Sequence, residues 1–65
     1  MNKVTYYRHK EKLSQLELAK MVGVSRQTIN LIENNKYNPS LLLCKNIATS
    51  LNTTLNDLFW SDINE

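Results

Sequence analysis

The chain has little with which to staple or kink itself: one cysteine, one glycine, one proline and one histidine in 65 residues. Cys44 alone cannot close an internal disulfide, and one Cys with one His cannot fill a four-ligand zinc site, so no cofactor and no metal is expected. Long apolar runs are missing too. The longest, Leu41-Leu42-Leu43-Cys44, falls far short of the roughly 18 residues that read as a membrane span. No charged start leads into an apolar block as in a secretion signal. The expected location is therefore cytoplasmic, without a membrane partner, and the Asn52-Thr53-Thr54 glycosylation sequon carries no weight. His9 and scattered carboxylates supply no nucleophile-base pair, no Gly-rich phosphate loop and no metal-ligand spacing, so no enzyme is expected. His9 reads as an exposed helix residue. Cys44, at helical spacing with Leu43, Ile47 and Ala48, reads as core rather than as a redox sensor.

What is present fits one small globular domain over 1–65. Apolar residues make up 42% and charged residues 22%, a balance that excludes disordered and fibrous classes. A chain this short buries only about 60% of its unfolded surface, so stability must come from helix packing or dimerisation. The net charge of +2 is unevenly spread. Residues 1–45 hold all eight Lys and Arg against Glu11, Glu17 and Glu33, while residues 46–65 hold Asp57, Asp62 and Glu65 with no base. The first two-thirds can face a polyanion and the end of the chain cannot, although charge alone fits a solvated surface equally well.

Punctuation divides the chain into about five short helices. The first spans about Lys3 to Glu11, with Val4, Tyr7 and Arg8 on one stripe. Ser14-Gln15-Leu16-Glu17 is a capping box that starts a second helix at Ser14, and Gly23 stops it. Ser25 caps a third helix, Arg26 to Glu33. The polar loop Asn34-Asn35-Lys36-Tyr37-Asn38-Pro39 follows, because its asparagines tolerate left-handed backbone and its proline excludes helix just before it. Ser40 opens a fourth helix running to about Leu51, with Leu43, Cys44, Ile47, Ala48 and Leu51 on one face and Asn52 as its stop. Thr54, with Asp57 three residues on, caps a short fifth helix through Phe59. The expected fold is all-α, a compact five-helix domain with a short extended tail over 60–65.

Within 14–33 three demands of a tight helix-turn-helix coincide. Ala19 is small where two helices must cross closely, Gly23 supplies the turn, and Ile29 is the apolar plug beyond it. An ordinary bundle corner is the competing reading. At about 100° per residue, Ile29, Ile32 and Glu33 share the inward face of the third helix, and Gln27, Leu31 and Asn34 share the outward one. Arg26 and Thr28 flank the outward face. Arg and Gln pair with guanine and adenine edges in the major groove and Leu31 suits a thymine methyl, so Arg26, Gln27 and Leu31 are candidate base readers. Helix starts seat phosphates, which nominates Gln15 and Ser40, and the donor-rich stretch Asn34, Lys36, Tyr37 and Asn38 reads as a backbone clamp. Asn35 is assigned to turn geometry. Arg8 and Glu33 both face inward from different helices, so they are expected to pair as a structural salt bridge.

The segment Ser14-Gln15-x-Glu17-Leu18-Ala19-x-x-Val22-Gly23-Val24-Ser25-Arg26-Gln27-Thr28-Ile29-Asn30-x-Ile32-Glu33-Asn34, followed by Lys36-Tyr37-Asn38-Pro39-Ser40-Leu41, resembles the lambdoid phage repressor and Cro type of helix-turn-helix regulator, the XRE family. The resemblance covers about residues 3 to 60 and is greatest to minimal one-domain members. It implies a homodimeric DNA-binding regulator in which Ser25, Thr28 and Asn30 contribute beside Arg26, Gln27 and Leu31, Gln15 and the 34–38 loop touch phosphates, and Arg8 pairs with Glu33. Lys12 and Asn35 stand where the family often has Gly, so both are expected in left-handed backbone. Leu16 and Leu42 stand at positions usually polar or acidic, and are expected exposed or in a contact surface.

One recognition helix covers few base pairs, so two copies reading half-sites of an inverted repeat are expected, acting as a repressor. Leu58, Phe59, Trp60 and Ile63 are the expected dimer contact, with completion of the monomer core as the alternative for Leu58 and Phe59 and the favoured one for Leu55. Two rival functions stay open: a DNA-binding antitoxin of a toxin pair, and a protein-interaction module that keeps the corner without using DNA.

Overall fold

A computed structural model describes residues 2–60. Helix α1 spans Val4–Lys10, α2 Gln15–Val22, α3 Arg26–Glu33 and α4 Leu41–Ser50, and a π-helical segment, Asn56–Trp60, closes the described chain. No strand occurs among the described residues. The expected all-α, five-element order is present, with element ends within about a residue or two of those expected.

The starts follow from side-chain caps. The Ser14 hydroxyl accepts from the Glu17 N–H at 3.0 Å while the Glu17 carboxylate accepts from the Ser14 N–H at 2.8 Å, which is the full capping box. Ser25 and Ser40 accept from the N–H groups of Thr28 and Leu43. The hydrogen bonds at Ser14 also hold the exposed Glu17 carboxyl below its ordinary pKa.

The ends share one device. After each α-helix a residue takes positive φ: Lys12 at 59°, Gly23 at 77°, Asn35 at 57° and Asn52 at 56°. The next residue's N–H then reaches back five residues, Leu13 to Arg8, Val24 to Ala19, Lys36 to Leu31 and Thr53 to Ala48, at 2.8–3.0 Å. These are Schellman closures, which satisfy carbonyls that the helix leaves without partners. The left-handed backbone expected at Lys12 and Asn35 is therefore found.

The core is contiguous: Val4 from α1, Leu18 and Ala19 from α2, Ile29 and Ile32 from α3, Ile47 and Ala48 from α4, then Leu51 and Leu58. Helix α2 packs on α3 and α4, and α1 packs on α3 and on the π-helical segment. The chain's start is tied to that segment by the Lys3 N–H donating to the Leu58 carbonyl at 2.8 Å.

Two expectations for the last segment are corrected. Leu58 is 1% exposed and completes the monomer core, so its side chain has no surface left for a partner. Phe59 is half-buried against the same core. Trp60 closes the π-helical segment instead of opening an extended tail, while Ile63 and the rest of that tail lie outside the described residues. Cys44 is half-buried rather than fully enclosed, and burial pushes its thiol pKa up, which disfavours the reactive thiolate. Among the described residues no helix is long and apolar enough to cross a membrane.

Candidate nucleic-acid interface

Helix α3 is anchored from beneath and open from above. Ile29 and Ile32 are 0% and 1% exposed. Arg26, Gln27, Asn30 and Asn34 are exposed on the same eight-residue helix and its cap, and Leu31 is half-buried between them. The turn before α3 is closed by the left-handed Gly23 and by Ser25, whose hydroxyl also lies 2.9 Å from that of Thr28. Ser25 and Thr28 thus serve the helix start first. The Asn34 amide donates to the Asn30 carbonyl at 2.8 Å, lengthening the helix end by a side-chain bond.

The pose of α3 is set by a polar chain that crosses three helices. The Arg8 Nε donates to Glu33 Oε2 at 2.7 Å and its Nη2 to Oε1 at 3.3 Å, a two-pronged pair with side chains only 10% and 5% exposed. Arg8 Nη1 also donates to the Leu13 carbonyl at 2.8 Å. Gln15, at the start of α2, donates from Nε2 to Glu33 Oε1 at 3.0 Å, and its Oε1 accepts from Arg26 Nη1 at 3.2 Å. Burial pushes the Glu33 carboxyl pKa up, yet the hydrogen bonds from Arg8, Gln15 and Thr5 and the Arg8 charge outweigh it and hold the group below its ordinary value. The ion pair expected between Arg8 and Glu33 is present. Gln15, expected at a phosphate, has its amide engaged within the protein, joining the ion pair to the first residue of α3.

The loop after α3 presents Lys36, Tyr37 and Asn38 to solvent, and Ser40 is exposed at the start of α4. One residue that sequence reasoning did not single out touches this loop from outside it. Asn2 donates from Nδ2 to the Ile32 carbonyl at 2.8 Å and to Asn35 Oδ1 at 3.0 Å, while its Oδ1 accepts from the Val4 N–H at 3.0 Å. The short spacing to Val4 is a legible turn signal; the contacts 30 and 33 residues away are not.

A solvent-facing polar helix, held at a fixed angle by a partner helix that buries Leu18 and Ala19 beneath it and by the three-residue turn Gly23-Val24-Ser25, is the architecture of a groove-inserting helix-turn-helix. The helix-turn-helix family model matches residues 5–58. An HTH-type transcriptional regulator of Methanocaldococcus jannaschii is 50% identical over 58 residues, covering 89% of this chain and 88% of that protein. Another from Archaeoglobus fulgidus is 46% identical over 63 residues, covering 97% and 90%. Among solved structures, a chain of the complex of SinR protein with SinI protein matches with a TM-score of 0.83 at 25% identity, over 95% of this chain and 61% of that one. This chain thus spans less than two thirds of that solved neighbour. The protein belongs to the helix-turn-helix family of lambdoid repressor and Cro type.

Proposed function

We propose that the protein is a sequence-specific, double-stranded DNA-binding transcriptional regulator, a repressor that acts as a homodimer on an inverted-repeat operator through the major groove. The observation that carries this reading is the α3 surface: Arg26, Gln27, Asn30 and Asn34 open to solvent above a fully buried Ile29 and Ile32. Arg26, Gln27 and Leu31 read base edges, with Ser25, Thr28 and Asn30 beside them. Asn34, Lys36, Tyr37, Asn38 and Ser40 hold the sugar-phosphate backbone, and Gln15 borders the same backbone from the start of α2.

Size supports the homodimer. The chain's longest extent is 32 Å and it carries one recognition helix, whereas two half-sites lie about 34 Å apart. A second copy is needed to read both. Trp60, 44% exposed, lines one shallow cleft with Leu41, Pro39, Cys44 and Phe59, and Leu41 and Leu42 are 62% and 66% exposed. This apolar surface is the proposed contact between copies.

The test separates the two kinds of contact. Gln27→Ala lowers preference at one base position by about 1–3 kcal/mol, whereas Lys36→Ala weakens all duplexes alike and flattens the salt dependence. Equal losses on every sequence for both variants would overturn the division of roles. Duplex affinity that does not fall with added salt would overturn DNA binding itself.

A further inference from the structure

We infer that Asn2 is a positioning residue for DNA binding, acting through the loop that follows the recognition helix and touching no DNA itself. The inference rests on the reading of that loop as a backbone clamp.

Three polar functions of one side chain meet at this point. The Asn2 oxygen is fixed by the Val4 N–H, which points its NH2 group away from α1. That group donates both to the Ile32 carbonyl, in the last turn of α3, and to the Asn35 side-chain oxygen. The Ile32 carbonyl lacks an i+4 donor, since the Lys36 N–H goes to Leu31, and accepts the Asn35 N–H at 3.1 Å, so the Asn2 amide joins the same carbonyl that the turn itself uses. Asn35 is the left-handed residue that turns the chain out of α3. Holding its side chain therefore fixes the rotation of the turn from which Lys36, Tyr37 and Asn38 project. The same residues, with Asn2, Ile32, Pro39 and Phe59, wall a cleft of about 470 Å³, so solvent lies along one side of the loop. Without the Asn2 bridge the left-handed turn keeps only local bonds, and the clamp loses its fixed distance from the base-reading face.

Asn2→Ser separates the two ends of the bridge, because a serine hydroxyl can still accept locally from the Val4 N–H but is too short to reach Ile32 or Asn35. Two measurements apply to the full chain. Amide hydrogen exchange should accelerate at residues 34–38 in the variant and stay unchanged in α2. Affinity for duplex DNA, measured across a salt series, should fall by about three- to tenfold on every sequence alike, with the salt slope reduced by about one and the order of base preference kept. Unchanged exchange at 34–38 overturns the bridge. Faster exchange there with unchanged affinity and slope overturns the clamp role of the loop while leaving the bridge standing. A loss confined to particular base sequences overturns the inference as well, since a loop clamp carries no sequence information. Failure of the unmodified protein to bind any duplex in a salt-dependent manner defeats the regulator reading on which the inference rests.

Discussion

Glu33 fixes the orientation of the Gln15 amide. The carboxylate can only accept, so the Gln15 amide must turn its NH2 inward at 3.0 Å and its oxygen outward, where Arg26 finds it at 3.2 Å. The first residue of the recognition helix is thereby held by an acceptor whose direction is dictated by a buried ion pair. Gln15→Leu keeps the bulk and removes both bonds. Its expected effect is about 1 kcal/mol less discrimination at the base facing Arg26, with preference at the Gln27 position intact. Selection from randomised half-site duplexes reads this directly, and identical base preferences in the two proteins would show that Arg26 needs no support.

The Arg8–Glu33 pair should behave as a unit. Arg8→Met strands a carboxylate whose side chain is 5% exposed, and is expected to cost about 3 kcal/mol or more in urea unfolding. The double variant Arg8→Met with Glu33→Leu should recover much of that loss, because two apolar side chains need no desolvation of charge. Independent, additive losses in the cycle would contradict a coupled pair.

The same pair gives a pH dependence of known sign. The Glu33 pKa is lowered in the folded protein, so the unfolded chain takes up a proton at a higher pH than the folded one. The stabilisation is complete above the ordinary carboxylate value and is lost as pH falls through the lowered one. Wild type minus Glu33→Gln stability should thus be constant near neutrality and shrink in acid. A difference that grows on acidification would reverse the assignment.

The features legible in the sequence were those written within a few residues. Ser14, Ser25 and Ser40 announce helix starts because a cap needs only a neighbouring N–H, and Gly23 and Asn35 announce ends because left-handed backbone selects residue type locally. The outward set on α3 follows from one helical period. What escaped depends on tertiary placement. The expected role of Gln15 took no account of a carboxylate 18 positions away, the two distant contacts of Asn2 span half the chain, and for Leu58 the spacing left core and interface both open until the packing of the last segment placed it inside.

Backbone strain at the helix ends is open to measurement at Lys12, whose φ of 59° is left-handed and whose side chain is exposed. A side chain there costs about 1–2 kcal/mol, partly offset by the extra unfolded-state freedom a glycine brings. Lys12→Gly should therefore stabilise by about 0.5–1 kcal/mol. Gly23→Ala runs the other way: its added methyl meets nothing within 4 Å, so its expected loss of about 1 kcal/mol is purely conformational. Equal and opposite effects are not required, but a destabilising Lys12→Gly would mean the lysine makes a contact that outweighs its backbone.

Trp60 tests the proposed dimer because it belongs to the apolar surface without belonging to the core. It is 44% exposed beside Leu41, whereas Leu58 two residues earlier is 1% exposed. Trp60→Ala should therefore shift sedimentation equilibrium towards the monomer and lower the unfolding midpoint by no more than the lost association and one half-exposed side chain account for. Leu58→Ala is the contrasting control, with an expected loss of about 2–5 kcal/mol of fold stability. On DNA, Trp60→Ala should weaken binding to a two-half-site duplex and spare a single half-site, since the recognition helix is untouched and only the gain from joining two copies is removed. Equal weakening on both duplexes would assign Trp60 to the pose of the domain, and an unchanged dimer would move the interface to another face.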